Sequence, residues 1–233
     1  SSEPILLTGC IPPDFEQKLL LENSNVSLAN LDVLRKNPDL LNEWLKGNGF
    51  RENLKEKTPR IFTPGIAQES PHIGILNISD GCLDACSFCS TRLVKGKHRS
   101  VSPEKILSEA KRYLENGWKE LWLTGQDTSC YGFDIGTNLA ELAKKILEQN
   151  SGDYKIRLGM GNPRHLEKYL DEMLSVYEDE RIYKFIHLPV QSGSDSVLQA
   201  MGRKHNVDTF RKMAEAFISK FSYFTLSTDI IVG

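Results

Sequence analysis

Hydrophobic positions along this chain follow two rhythms. From residue 72 onward, short apolar and partly β-branched runs alternate with longer stretches whose apolar positions recur every three or four residues, the succession of strand and helix expected of βα units. The runs "HIGILNIS" (72–79), "KELWLTG" (119–125), "YKIRLGM" (154–160), "YKFIHLPV" (183–190) and "YFTLSTDIIVG" (223–233) predict five strands. Ser102, with Pro103 just inside, predicts the start of a helix that Asn116-Gly117 stops. Leu139, Leu142, Ala143 and Ile146 mark one face of a second helix over 137–150, and further helices are expected at 165–177, 195–201 and 207–220. Parallel strands joined by helices form either an open doubly wound sheet or part of a (βα) barrel, and the hydrophobic pattern leaves both open.

The first third reads differently. "PILLTG" predicts a strand, "DFEQKLLLEN" a helix, and "NVSLANLDVLRKNPDLLNEWLKG" a short strand followed by a helix. "NLKEKTPRIFTPGIAQESP", with its Pro and Gly, reads as a linker, which places a domain boundary near residue 66 and divides the chain into 1–66 and 67–233. An apolar strand that runs to Gly233 with no helix after it raises the expectation that the chain is part of a longer protein.

Composition narrows the class. With 39% hydrophobic and 26% charged residues in 233, the chain has the make-up of a folded globular protein with a sizeable core. No apolar run approaches the roughly 20 residues that cross a bilayer, and "SSEPILLTGC" resembles no secretion signal, so a cytoplasmic protein without a membrane partner is expected. A net charge of -2 provides no global field for nucleic acid, so an RNA partner needs a local patch. Arg92, Lys95, Lys97, His98 and Arg99 offer one, or else an ordinary solvated loop.

The sharpest signal is "GCLDACSFC" (81–89), which holds Cys82, Cys86 and Cys89 of the five cysteines. An odd count in a chain without a secretion signal points to reduced, ligating thiols and away from disulfides. A looped backbone with these spacings can aim three sulfurs at one point. Structural zinc wants a fourth ligand, with His98 or Cys130 available, whereas a [4Fe-4S] cubane can be held by three thiolates with one iron left open.

The CxxxCxxC pattern after a first strand, with Phe88 before its last cysteine, resembles the radical S-adenosylmethionine (SAM) enzymes. "LPVQSGSDSVLQAMGRKH" (188–205) and "STDIIVG" (227–233) resemble the methylthiotransferases within them, and "LTGQDTSCYGFDIGTNL" and "IRLGMGNP" the archaeal and eukaryotic branch acting on N6-threonylcarbamoyladenosine in tRNA. The resemblance implies a partial radical SAM (βα) barrel with five of its six strands, preceded by the end of an α/β methylthiotransferase N-terminal domain. It implies an enzyme that inserts a methylthio group at C2 of adenosine 37 of the anticodon loop, with tRNA and an electron donor as partners. Cys82, Cys86 and Cys89 become ligands of a [4Fe-4S] cluster with SAM at the open iron. Phe88, Thr124, Gly125, Gln126, Asp127, Gln191, Ser192 and Arg203 become the SAM pocket, with Arg203 facing the cofactor's carboxylate. Cys10 matches one ligand of a second [4Fe-4S] cluster, which only a longer protein would complete, because two partner cysteines are absent. The family's RNA-binding module and last strand are also missing, His205 stands where the family often has tyrosine, and Cys130 has no role. Asp229, in an apolar strand, is either a buried hydrogen-bonded group or a site residue. Two alternatives stand beside this reading: a zinc-bearing RNA-binding module without redox chemistry, and a radical SAM enzyme with another substrate.

Overall fold

Each apolar run named above forms a strand shorter than its sequence pattern in the computed structural model, which describes residues 3–8, 11–29, 33–34, 37–47 and 72–232. These residues fall into two compact units, one holding 3–47 and 93–95 and the other 72–92 and 96–232. The expected boundary near residue 66 and Cys10 lie outside the described residues.

In the smaller unit, β1 (Ile5–Thr8) pairs parallel with β2 (Val26–Ala29) in the register Ile5↔Val26, with α1 (Pro13–Glu22) as the crossover. All of β2 is buried, as expected for a parallel strand. Helix α2 (Pro38–Leu45) follows.

The larger unit is built on β3 (Ile73–Asn77), β6 (Glu120–Thr124) and β7 (Lys155–Leu158), paired parallel in that order. A second parallel pair, β8 (Phe185–His187) and β9 (Thr225–Ser227), joins β7 through the segment before β8: Ile156 N–H donates to Arg181 O at 2.7 Å and Tyr183 N–H to Ile156 O at 3.0 Å. The strands therefore follow one another in chain order with no reversal. A doubly wound sheet reverses its order at a switch point; a (βα) barrel wall does not, so the sequence-level ambiguity resolves toward the partial barrel.

Side-chain alternation sets the two faces. Leu76, Leu121, Leu123 and Ile156 are 0% exposed in the core under the helices, each contributing about 1.5–3 kcal/mol by burial. On the opposite face Trp122 and Arg157 are half-buried, and the Arg157 guanidinium lies 5.2 Å from the Trp122 ring and 5.0 Å from that of Phe185.

Two expectations needed revision. The first apolar run continues past β3 into β4 (Ser79–Asp80), which turns to pair antiparallel with β5 (Arg99–Ser100) and brackets the cysteine loop and α3 (Thr91–Lys95). The single helix expected over 165–177 is broken into α6 (Pro163–Leu166), a 3-10 turn and α7 (Leu170–Val176). The break falls at Tyr169, whose hydroxyl donates to Ser129 O at 2.6 Å and whose backbone leaves the helical region at φ -141°. The remaining helices, α4 (Pro103–Glu115), α5 (Leu139–Gln149), α8 (Asp195–Ala200) and α9 (Val207–Lys220), lie within the expected stretches. Asn138 caps α5, its side chain accepting from Glu141 N–H at 2.9 Å. Among the described residues no helix is long and apolar enough to cross a membrane.

Candidate metal and cofactor site

The C-terminal ends of β3, β6, β7 and β8 share one edge, where parallel sheets present their ligand-binding loops. The cysteine loop leaves that edge through Gly81. Its φ of +79° is a left-handed conformation, and a Cβ there would sit 2.4 Å from Lys97 O, so neither the backbone nor the space admits a side chain. The Gly81 N–H donates to Gln126 Oε1 at 2.7 Å, which ties the loop after β3 to the loop after β6. Farther along, Cys89 N–H donates to Cys86 O at 3.1 Å, and Ser87 N–H to Met201 O at 2.9 Å just past α8.

Cys82, Cys86 and Cys89 all line one cleft. Phe88, Gln126, Asp127, Gln191 and Arg203 also line it. Thr124, Gly125 and Ser192 do not. The Thr124 hydroxyl donates to Leu76 O at 3.3 Å, a Cβ on Gly125 would meet Ser79 Oγ at 2.7 Å, and Ser192 Oγ accepts from Ser194 N–H at 3.2 Å. Those three positions shape the loops around the cleft. Gln191 is the non-glycine residue with positive φ, 73°, among the described residues. Hydrogen bonds from its N–H to Asp229 O (2.8 Å) and from Ile231 N–H to its carbonyl (2.9 Å) hold that strained backbone at the rim.

A polar layer adjoins the cysteine loop, and of its members the sequence pointed to Asp127 alone. Asp84, inside the cysteine loop and buried, accepts from Asn162 Nδ2 and from Arg164 at 2.5 Å, and His165 Nε2 stands 3.4 Å from it and 3.8 Å from Asp127. Burial alone would raise the Asp84 pKa; His165 and Arg164 together outweigh it and hold the carboxyl below the usual range. Asp127, expected at the cofactor, is 2% exposed and caps a 3-10 turn: one carboxylate oxygen accepts from Ser129 N–H (3.0 Å), Ser129 Oγ (2.5 Å) and Asn162 N–H (3.1 Å). Its other oxygen has no hydrogen-bond partner. Asn162 and Asp84 escaped notice because each looks ordinary in sequence, one as the start of a helix and one as a spacer between cysteines.

Burial first, then the Asp127 and Asp84 carboxylates, push the Cys82 thiol up to about 11, against a lowering by the Asp84 N–H. A thiol held protonated is a poor nucleophile, and it would have to give up that proton to ligate a metal. Among the described residues no three His, Cys, Asp or Glu gather as the shell of one ion. A single zinc needs every donor about 2.0–2.3 Å from one point, whereas a cubane takes one thiolate at each of several irons, so its ligands stand farther apart. The zinc reading takes His98 or Cys130 as its fourth ligand. These two face each other: Cys130 Sγ is 3.3 Å from His98 Nδ1, and His98 Nε2 is 3.0 Å from Ser100 Oγ. His98 is thus buried, and only Arg92, Lys97 and Arg99 of the basic segment are well exposed. Asp229 is neither buried nor in the cleft; its carboxylate lies 3.0 Å from His187 Nε2.

Comparisons with known proteins agree with this geometry. Residues 76–233 match the family model of the radical SAM superfamily. The chain is 39% identical over 236 residues to a "Probable threonylcarbamoyladenosine tRNA methylthiotransferase" of Pyrococcus horikoshii, which covers 100% of this chain and 55% of that protein. It is 34% identical over 239 residues to the human "Threonylcarbamoyladenosine tRNA methylthiotransferase", covering 100% of this chain and 41% of that one. The chain thus spans about half the length of the curated relatives it matches. Among solved structures, the cobalamin-dependent S-adenosylmethionine radical enzyme OxsB, with aqua-cobalamin and S-adenosylmethionine bound, superposes with a TM-score of 0.61 at 16% identity, over 98% of this chain and 41% of that one. The radical S-adenosylmethionine methyltransferase TsrM from Kitasatospora setae does so at 0.51 and 11%, over 67% and 30%; both share the fold. A matching family model over more than half of the sequence, on a barrel wall with three cysteines lining one cleft, establishes that the chain belongs to the radical SAM superfamily.

Proposed function

We propose that this chain is part of a tRNA methylthiotransferase that acts on N6-threonylcarbamoyladenosine at position 37 of the anticodon loop. Identity of up to 39% along its whole length to proteins bearing that activity in their names carries the proposal. In this reading residues 67–233 are the radical SAM domain and 1–66 the end of a methylthiotransferase N-terminal domain, to which Cys10 would contribute a ligand for a second cluster completed elsewhere. The relatives' common activity favours it over a radical SAM enzyme with another substrate.

Cys82, Cys86 and Cys89 would hold a [4Fe-4S] cluster with SAM beside it. When bound, that pair supplies reductive radical chemistry at an unactivated C–H bond. The chain's own work is positional. Gly81 and Gln126 fix where the cysteine loop begins, the Asp84, Asn162 and Arg164 contacts fix its floor, and Gln191 lines the cleft from a strained backbone. The backbone of Phe88 would meet the cofactor's adenine from the thiol loop, with Gln126 and Asp127 on the polar side of the pocket.

Anaerobic reconstitution with iron and sulfide tests the ligand set: about four irons per chain are expected, and Cys86→Ala should lose them. A Cys86→Ala chain that keeps its full iron content overturns the ligand assignment. Expression of the full-length protein in cells lacking their own enzyme, followed by nucleoside mass analysis, tests the substrate. A threonylcarbamoyladenosine without the added methylthio mass overturns it.

A further inference from the structure

We infer that Arg203 is a positioning residue for the redox potential of the cluster and not a clamp for the carboxylate of SAM; the inference rests on the proposed cluster ligation by Cys82, Cys86 and Cys89. Its guanidinium is already engaged along the edge a carboxylate would need. Nη1 donates to Cys86 Sγ at 3.6 Å, while Nη2 donates to Pro189 O at 3.0 Å and to Asn162 Oδ1 at 3.3 Å. A bidentate carboxylate requires two parallel N–H groups of one fork. Here the two terminal nitrogens point at a sulfur, a carbonyl and an amide, and only Nε lacks a partner.

The placement is built from both sides. Asn162 Nδ2 donates to Asp84, which turns its Oδ1 toward Arg203, and Asp84 belongs to the cysteine loop itself. The turn carrying Arg203 presses on that loop at Gly202, whose φ is +72° and where a Cβ would stand 3.3 Å from Ala85 O. Arg203 N–H donates to Leu198 O at 2.9 Å, and Ser87 N–H bonds Met201 O at 2.9 Å, so the two backbones move together.

The three sulfurs are consequently unequal. Cys86 receives a cationic donor, Cys82 receives the neutral Asp84 N–H at 3.4 Å, and the Cys89 sulfur has no donor among the described residues. Donors and positive charge at a ligand sulfur stabilise the more electron-rich state of an iron–sulfur centre and raise its potential. Arg203 is the cation placed to do so here.

The test is an anaerobic redox titration of the reconstituted chain followed by electron paramagnetic resonance, with iron content and SAM affinity measured on the same samples. Arg203→Gln should retain its iron, bind SAM near the wild-type affinity, and show at fixed potential a reduced-to-oxidised ratio about tenfold lower, a shift of about 59 mV for one electron. Arg203→Lys keeps the charge but cannot hold all three partners, and should fall between. An unchanged potential with weakened SAM binding returns Arg203 to the carboxylate and overturns the inference, as does an unchanged potential with unchanged binding. If Arg203→Gln loses its iron, the potential is read on Arg203→Lys, and a wild-type value there overturns it. A wild-type chain that assembles no cluster overturns the proposed function, and this inference with it.

Discussion

Gly81→Ala separates two effects that glycines usually combine, because Gly96 supplies a matched control on the same loop. Both residues have left-handed φ, +79° and +81°. A Cβ on Gly96 meets nothing within 4 Å, whereas on Gly81 it lies 2.4 Å from Lys97 O, 2.7 Å from Lys97 C and 2.9 Å from Gly96 O. Those are backbone atoms and cannot rotate away. Gly96→Ala should therefore cost only its backbone conformation, φ +81° with ψ -157°, a region that side-chain-bearing residues avoid, at about 1–3 kcal/mol. Gly81→Ala adds the displacement of the β4–β5 pair and the strain or loss of the bond to Gln126, for a total of about 3–6 kcal/mol. Urea unfolding followed by far-ultraviolet circular dichroism reads the difference, and iron content after reconstitution reads its effect on the thiols. Gly81→Ala should unfold at a clearly lower urea concentration and bind less iron, while Gly96→Ala keeps its iron. Equal losses in the two variants, or a Gly81→Ala protein with full iron, would refute the claim that close backbone approach at Gly81 sets the position of Cys82.

Three further outcomes follow from individual side chains. Burial first, and then Arg203, push His205 down to about 4 from 6.5, so the unfolded chain takes up its proton first as acid is added. Its contribution is complete above pH 6.5 and is lost as pH falls toward 4, at up to about 1.4 kcal/mol per pH unit; His205→Phe should flatten the pH dependence of the unfolding midpoint in that window, and an unaltered curve refutes the assignment. Cys130→Ala should leave iron content unchanged, because that sulfur is 0% exposed and faces His98; a loss of iron would make Cys130 a ligand. Asp127→Ala removes an acceptor used by three donors and should cost about 3 kcal/mol, whereas Asp127→Asn keeps one oxygen there and should cost less; identical unfolding midpoints would show that the cap contributes nothing.

The strands were legible because period and composition both encode them, and the thiols because three cysteines in eight residues have few other uses in a reduced chain. The β4–β5 pair was not. Ser79, Asp80, Arg99 and Ser100 form two short segments with no apolar alternation, held by backbone pairing and by the space Gly81 leaves open. The interrupted helix at Tyr169 was equally hidden, because a tyrosine within a helical repeat gives no sign that its hydroxyl will bond Ser129 O across 40 positions. Local pattern predicts elements; a long-range polar bond that breaks one leaves no local trace.

Asn162 shows why the polar part of the site in particular escapes a reading by motif. One side chain caps α6 through Arg164 N–H (3.2 Å), donates to Asp84 in the cysteine loop, and accepts from Arg203 beyond α8, while its backbone N–H goes to Asp127 after β6. Three of the four tie the loop after β7 to those after β4, β6 and β8. Around a barrel edge the loops share no sequence proximity, so only a residue that bonds several of them can fix the thiols relative to the rest of the cleft. Such a residue looks in sequence like any helix cap, because the capping bond is the local one of its four. The ligands of the site are therefore written in a motif of nine residues, whereas their orientation is distributed over single polar side chains at the ends of four strands.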